Sequence, residues 1–176
     1  MSGKHDIKII EDEEGKKIVV IPQIIFKGKR TIDWKKVEKY LKCYVGEIVE
    51  VAESEDRIYI ERDFPDEFSG SVYTRSLRGN RAKAKANLVG GIKELLEIAT
   101  SKRWSTNYKK KHRKNAENGW YRYNTRFALP ILNEVGEKIG MNVYKATLIV
   151  RYSSNEKLYL YDIQDIKKET GNPLWT

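Results

Sequence analysis

Three runs of alternating apolar and polar residues constrain the fold of this chain more than any other feature. They lie near residues 120–131, 143–152 and 157–166, and short polar segments separate them. Successive side chains of a strand point to opposite faces, so a period of two places one set on a core and the other in water. Strands joined by short connections pair as antiparallel neighbours. Residues 119–168 are therefore predicted to form an antiparallel meander, apolar on one side and cationic on the other.

The residues before these runs mix strand and helix signals, which predicts an α+β fold. Two pairs of short strands should flank one helix, and two further helices should pack on the meander. The strands are predicted at residues 6–10, 17–26, 47–51 and 57–62, and the helices at 31–44, 71–88 and 92–98. The string DFPDEFSG at residues 63–70 is predicted to break the chain. The interpretation is an N-terminal α+β accessory region over 1–68, followed by a nucleic-acid-binding domain over 69–176.

Charge divides the chain at nearly the same place. Residues 1–69 carry 13 basic and 16 acidic side chains, a net charge of −3, whereas residues 70–176 carry 21 and 9, a net charge of +12. A uniform basic excess can serve solubility alone. A basic excess confined to one part of a chain is typical of an electrostatic footprint for an acidic partner.

The densest part of this excess is the segment KRWSTNYKKKHRKNAENGWYRYNTR at residues 102–126. It holds nine Lys or Arg, one acid and five interleaved Trp or Tyr. Cations neutralise phosphate and flat rings stack on unpaired bases, so the mixture favours a nucleic-acid surface over a solvated basic loop. The predicted nucleic-acid-binding residues are Arg75, Arg78, Arg81, Lys83, Lys85, Lys102, Arg103, Lys109, Lys110, Lys111, Arg113, Lys114, Trp120, Arg122 and Lys145.

Composition excludes several other classes of protein. The single cysteine, Cys43, excludes an internal disulfide and a cysteine-based zinc site, and its expected role is that of a small buried side chain. No apolar run reaches the ~20 residues that a membrane-spanning helix needs. The N-terminus lacks an apolar signal core, which predicts a cytoplasmic protein without a membrane partner. Neither a metal nor a cofactor is predicted.

The second half resembles a known group of proteins. The strings GIKELLEIAT, YKKKHRK, GWYRYNTRFALPI, NVYKATLIVRY and KLYLYDIQDIKKETGNPL follow one another. This order is similar to the large polyvalent protein-associated domains of phages and conjugative elements in Firmicutes, including a KKET-x-x-PL ending. It also looks like the phage members of the barnase–EndoU–colicin E5/D–RelE fold group. The resemblance covers roughly residues 91–174 and implies a metal-independent, toxin-type endoribonuclease.

Such a ribonuclease needs a base for the 2′-hydroxyl, an acid for the leaving oxygen and cations around the phosphorane. His112 is the candidate base, because the cations beside it disfavour its protonated form. Arg126 and Arg151 would reach one phosphate if their strands pair. Thr147 and Tyr161 are the candidate hydroxyls, and the resemblance suggests Tyr161, since members of the group often carry a polar residue on the last strand. The alternatives are a solvated histidine, and arginines paired with Asp162 or Asp165.

Two function classes follow from the sequence. One is an RNA-cleaving enzyme of mobile-element origin. The other is a non-catalytic nucleic-acid-binding or counter-defence module of an anti-CRISPR-like kind, which would keep the basic surface without needing a base. RNA is favoured over DNA as the partner, and residues 1–68 are a candidate surface for a protein partner.

Overall fold

The computed structural model describes residues 6–28, 31–106 and 118–170, and it has the predicted α+β fold. Its strands are β1 (Lys8–Glu11), β2 (Lys17–Val20), β3 (Ile48–Glu50), β4 (Arg57–Tyr59), β5 (Thr100–Ser105), β6 (Trp120–Leu132), β7 (Lys138–Tyr152) and β8 (Leu158–Lys168). Its α-helices are α1 (Trp34–Leu41), α2 (Phe64–Gly70), α3 (Val72–Ser76), α4 (Gly79–Asn87) and α5 (Ile92–Glu97).

All the strands listed above join one mixed sheet. Its order is β1-β2-β6-β7-β8-β4-β3, and β5 pairs with β6 off this path. The long strands β6, β7 and β8 are antiparallel and occupy the centre. The hairpins β1–β2 and β3–β4 flank them, and each joins through a parallel pair, β2 with β6 and β4 with β8. Strands from both sides of the predicted boundary at residues 68/69 therefore share one sheet. The division into two units stays a prediction.

One hydrophobic core lies on the apolar side of β6, β7 and β8. Tyr123, Phe127, Leu148 and Val150 are completely buried there, together with apolar residues of α1, α2, α4 and α5. These four side chains belong to the alternating set that the sequence assigned to the core. Tyr123 still satisfies its hydroxyl, which donates to Asp56 Oδ2 at 2.7 Å. The predicted core set is therefore buried at these positions, but Ala128, Thr147 and Ile149 of the opposite set are buried as well.

Residues 64–70 form helix α2 and Asp63 is its N-cap, so the predicted break there is wrong. Pro65 lies in the first turn, where a proline costs no helical hydrogen bond, and Asp66 and Glu67 lie in the same turn, where the helix dipole favours acids. Phe64 and Phe68 are buried in the core with ring centres 5.6 Å apart. The segment is part of the packed core rather than a linker.

The predicted basic helix at residues 71–88 is two helices, α3 and α4. Arg78 between them has an extended backbone, and Gly79 has φ +60, a left-handed conformation that favours glycine. Arg78 donates from Nη1 to the carbonyl oxygens of Arg75 and Leu77, at 2.8 and 2.7 Å, near the end of α3. The break separates the two helices, and the later lysines differ in burial: Lys83 is half-buried and Lys85 is completely buried.

Two smaller features differ from the sequence analysis. Residues 100–105, for which no strand was predicted, form β5, which pairs with β6 through Arg103–Arg122, Trp104–Tyr121 and Ser105–Trp120. Cys43, predicted to be buried, is exposed just after α1. No helix in the described part of the chain is long and apolar enough to cross a membrane.

Candidate nucleic-acid interface

The side of β5, β6, β7 and β8 that faces away from the core carries polar and cationic residues together with two small apolar clusters, one at Ala128 and Met141 and one at Trp120 and Ile149. We call this side the open face. Residues paired across neighbouring strands share a face, so the ladder gives its layout. One row crosses β6, β7 and β8 through Asn124, Thr147 and Gln164. On one side of it lies the pair Arg103–Arg122. On the other side lies a row composed of Arg126, Lys145 and Lys167.

The arginine pair is a part of the open face that no described acid neutralises. Arg103 and Arg122 are direct partners across β5 and β6. Arg103 Nη1 donates to Asn124 Oδ1 at 3.0 Å and to the Ser101 carbonyl oxygen at 2.8 Å, and Arg122 Nη1 donates to Ser105 Oγ at 3.0 Å. Within residues 6–28, 31–106 and 118–170, neither guanidinium forms an ion pair. Neutral acceptors hold both side chains in place and leave their charge uncompensated.

Trp104 lies beside this pair on β5 and is 54% exposed. It alternates with Arg103 and so belongs to the other side of the strand. Its indole Nε1 donates to the Asn118 carbonyl oxygen at 2.9 Å. Gly119, with φ +99, passes so close that an added Cβ would lie 2.7 Å from that indole nitrogen and 2.5 Å from the Ser105 carbonyl oxygen. The exposed ring is therefore fixed by backbone contacts at the end of the β5–β6 hairpin.

Arg126 lies between two acids rather than in an open phosphate site. Its Nε and Nη2 donate to the two carboxylate oxygens of Glu169 at 2.8 and 2.9 Å, and its Nη1 donates to Asp12 Oδ2 at 2.8 Å. The hydrogen bonds to Glu169 are the main reason that the pKa of Arg126 lies above its ordinary value. From the sequence, Asp162 and Asp165 were the alternative partners of this arginine. The acids that bind it are different ones. Arg126 joins the β1–β2 turn to the segment after β8.

Arg151 lies near the opposite end of β7. It is half-buried; its Nη1 donates to Ser153 Oγ at 2.8 Å, and its guanidinium carbon lies 4.2 Å from the centre of the Tyr159 ring. Its Nη2 lies 3.5 Å from an Asp63 carboxylate oxygen. Arg126 pairs with Lys145, so the two arginines are separated by six residues along β7. At ~3.3 Å per residue this is about 20 Å, and the expectation that both reach one phosphate is wrong.

The other two predicted catalytic hydroxyls also lie in separate surroundings. Thr147 is in the middle of the open face and is 9% exposed. Tyr161 is at a bulge of β8, where its ring packs edge-on against Trp120 with centres 4.8 Å apart. Trp120, expected to bind nucleic acid, is only 8% exposed and belongs with Ile149 to a small apolar cluster.

Glu67 is a residue of this region that the sequence interpretation missed. Burial raises the pKa of its carboxyl, and the nearby Asp162, Asp66 and Asp63 act in the same direction, while a hydrogen bond from Tyr161 opposes them. Burial also raises the pKa of Tyr161. The sequence signal for Glu67 is an acid in the first turn of a helix, between the buried Phe64 and Phe68. This signal can be used only when residues 64–70 are recognised as a helix.

Lys85 is not on a nucleic-acid surface, contrary to prediction. It is completely buried, and its Nζ lies 2.6 Å from both Asp162 Oδ1 and Thr74 Oγ1. The other predicted cations of this segment are Arg75, Arg78 and Arg81, which are exposed, and Lys83, which is half-buried. The phosphate track that the sequence predicted along this segment therefore loses its innermost member.

Of the remaining predicted residues, one lies in the described part of the chain and the others lie outside it. Lys102 lies on β5, where its Nζ is 2.9 Å from Asp56 Oδ2 and 4.3 Å from the centre of the Tyr121 ring. Its charge is therefore partly neutralised. The candidate base and five cations lie outside the described residues; these are His112, Lys109, Lys110, Lys111, Arg113 and Lys114.

Comparisons of the chain with protein-family models, with curated proteins and with solved structures find no match. Within the described ranges, no group of three or more His, Cys, Asp or Glu side chains is placed to hold a metal ion. The open face is therefore the feature of the molecule that bears on its function.

Proposed function

We propose that the chain binds single-stranded nucleic acid, RNA in preference to DNA, on the open face of β5, β6, β7 and β8. The single observation that carries this proposal is the cross-strand pair Arg103–Arg122. Like charges directly opposite each other destabilise a sheet. Here neutral acceptors hold both, and neither guanidinium has an acid as an ion-pair partner among the described residues. A phosphate bound between them would remove the repulsion and accept charge-assisted hydrogen bonds from both.

Further cations extend this site along the sheet. Lys145 is exposed in the centre of the face and, like the arginine pair, has no ion pair among the described residues. The chain between the paired ends of β5 and β6 includes the sequence KKKHRK. A strand of nucleic acid that crosses the open face would meet Lys145 on one side of the central row and the arginine pair on the other. The exposed ring of Trp104 lies at the same edge but on the other side of β5, so a base would reach it only by passing around that edge.

Binding is better supported than cleavage. The arginines assigned to catalysis lie about 20 Å apart along the sheet, and Arg126 already has two acids as partners. The assigned base, His112, is outside the described residues. Ribonuclease activity therefore stays a prediction from the sequence. The preference for RNA is supported by the resemblance to a group composed mainly of ribonucleases.

The test is binding of fluorescent single-stranded RNA, and of DNA with the same sequence, as a function of salt. We expect affinity for RNA to fall steeply with salt, because each neutralised phosphate releases counterions. The double substitution Arg103→Gln, Arg122→Gln should reduce the slope of log K against log salt by roughly 1.4, about 0.7 for each lost contact to a single strand. The matched control removes the same charge from the exposed side of α1 by Lys35→Gln, Lys39→Gln, and should leave the slope nearly unchanged.

Two outcomes would contradict the proposal. Equal losses in the arginine variant and the α1 control would show that only net charge matters. Binding that does not respond to salt would exclude a phosphate site altogether. Incubation of the same RNA with the protein in EDTA adds an independent measurement, and cleavage there would restore the ribonuclease interpretation.

A further inference from the structure

The central row of the open face has three polar side chains in a fixed order, of which Asn124 is exposed, Gln164 is half-buried and Thr147 is 9% exposed. Asn124, Thr147 and Gln164 are direct partners on neighbouring strands. The two outer residues are about 10 Å apart at their Cα atoms, which is two strand spacings. This span is comparable to the width of one base edge with a hydrogen bond at each end. The row is flanked by cations on both sides, as described above, so a strand of nucleic acid held by its phosphates would place bases over it.

Neighbouring charges fix the orientation of both amides. Arg103 has only donors, so the Asn124 atom that meets it must be Oδ1, and the Asn124 amide nitrogen is left as the donor. The carboxylate of Asp162 accepts from Lys85 and from the backbone N–H of Ile163.

Gln164 Nε2 also donates to this carboxylate, at 2.9 Å, so the Gln164 carbonyl oxygen is left as the acceptor. The Thr147 hydroxyl between the two amides can donate or accept.

We propose that this row reads one nucleobase of a bound single strand and prefers guanine or cytosine to uracil. The inference rests on the proposed function, because the cations beside the row must first hold the phosphates. The row offers a donor at the Asn124 end and an acceptor at the Gln164 end. A matching base needs an acceptor at one end of its Watson–Crick edge and a donor at the other.

Guanine and cytosine meet this requirement, and uracil does not. Guanine has a carbonyl at one end and an amino group at the other, and cytosine has the same two groups in the reverse order. The middle nitrogen donates in guanine and accepts in cytosine, and the Thr147 hydroxyl serves either. Uracil has carbonyls at both ends, so one of them would face the Gln164 carbonyl oxygen. Adenine has no third polar group on this edge and should bind like uracil. Single-stranded bases are the usual targets of such edge contacts.

The test compares short RNAs that differ in one base. The four probes are an oligouridine and the same strand with a single central guanosine, cytidine or adenosine, all at one salt concentration. We expect the guanosine and cytidine strands to bind about tenfold more tightly than the other two, within the range for one well-made base contact. Gln164→Met, which keeps the length of the side chain and removes its acceptor, should abolish this difference between the four strands.

A second variant and a control make the result unambiguous. Thr147→Val keeps the shape of the side chain, removes the central hydroxyl and should reduce the same preference, so the test survives if Gln164→Met does not fold. Lys145→Met is the control, and it should weaken all four strands equally. Four equal affinities for the unaltered protein would overturn base reading and leave the interface standing. No binding of any strand would overturn both the proposed function and this inference.

Discussion

Two groups of charged residues in this molecule are arranged in opposite ways. Around the pair Lys85–Asp162, all charge is buried and the protein supplies its partners, with Nζ and Oδ1 2.6 Å apart and both side chains inaccessible. Around the pair Arg103–Arg122, two like charges face each other on an open strand pair. Burial outweighs the attraction of Asp162 and lowers the pKa of Lys85. The Lys85–Asp162 pair stabilises the fold, whereas the charges of the Arg103–Arg122 pair remain available to a ligand.

The buried pair joins the helices to the sheet. Lys85 Nζ also lies 4.4 Å from the centre of the Phe68 ring on α2 and 5.0 Å from that of Tyr73 on α3. The Tyr73 hydroxyl accepts the backbone N–H of Ile166 on β8 at 2.8 Å. One lysine of α4 therefore contacts α2, α3 and β8 together, and a change at its partner should affect the whole molecule.

Removal of Asp162 is the largest effect that we predict. Asp162→Ala should lower the free energy of unfolding by about 3–5 kcal/mol, because it leaves the ammonium group of Lys85 buried without a counter-charge. Urea titration followed by circular dichroism measures this loss. A loss of under about 1 kcal/mol would show that the Lys85 ammonium group escapes to water or is neutral in the folded protein.

The control for this prediction removes both charges. The double substitution Lys85→Met, Asp162→Leu should be much less destabilising than Asp162→Ala, because a buried ion pair replaced by apolar residues of similar size is often nearly neutral. If the double variant is as unstable as the single one, the cost lies in lost packing and hydrogen bonds rather than in an unpaired charge.

Removal of the two charges of the Arg103–Arg122 pair should stabilise the protein, whereas removal of Asp162 destabilises it. Arg103→Gln, Arg122→Gln should keep the neutral hydrogen bonds and raise the free energy of unfolding by roughly 0.2–1 kcal/mol, since the cross-strand repulsion disappears. The same urea titration measures it, at low salt where the repulsion is strongest. A stability loss instead would mean that the guanidinium contacts to Ser105 and Asn124 serve the fold, and the contrast with the buried pair would fail.

The sequence predicted this contrast only in part. Period two identified the core side of β6 and β7, because alternation is a local property of the chain. The role of Lys85 was not accessible in that way. Its local pattern is the same as that of its basic neighbours, and the acid that neutralises it lies 77 residues away. Whether a lysine faces water or a carboxylate depends on how α4 meets β8.

The candidate site shows the same limit of local patterns. Arg126 and Arg151 were placed correctly on strands, but the pairing register separates them and provides other partners for each. Strand β5 was missed because lysine and arginine at an edge strand look like a solvated loop. Asn124, Thr147 and Gln164 become a row only through the pairing of three strands, and a single strand gives no signal for it.

Glu67 lies near the buried Lys85–Asp162 pair, and its substitution should have the smallest effect on stability that we predict. Its carboxyl is half-buried near Asp162, and burial raises its pKa above the usual value of a glutamate. The folded protein therefore binds this proton more tightly than the unfolded chain does, and ionised Glu67 costs stability at neutral pH.

Glu67→Gln keeps an acceptor for Tyr161 and should raise the melting temperature at neutral pH by about 1–3 °C. This gain should disappear as the pH falls below the ordinary glutamate pKa of about 4.3, since the carboxyl is then protonated in both states. Thermal unfolding of both proteins across this pH range measures the effect, and a gain that persists in acid would mean that packing, not charge, separates the two side chains.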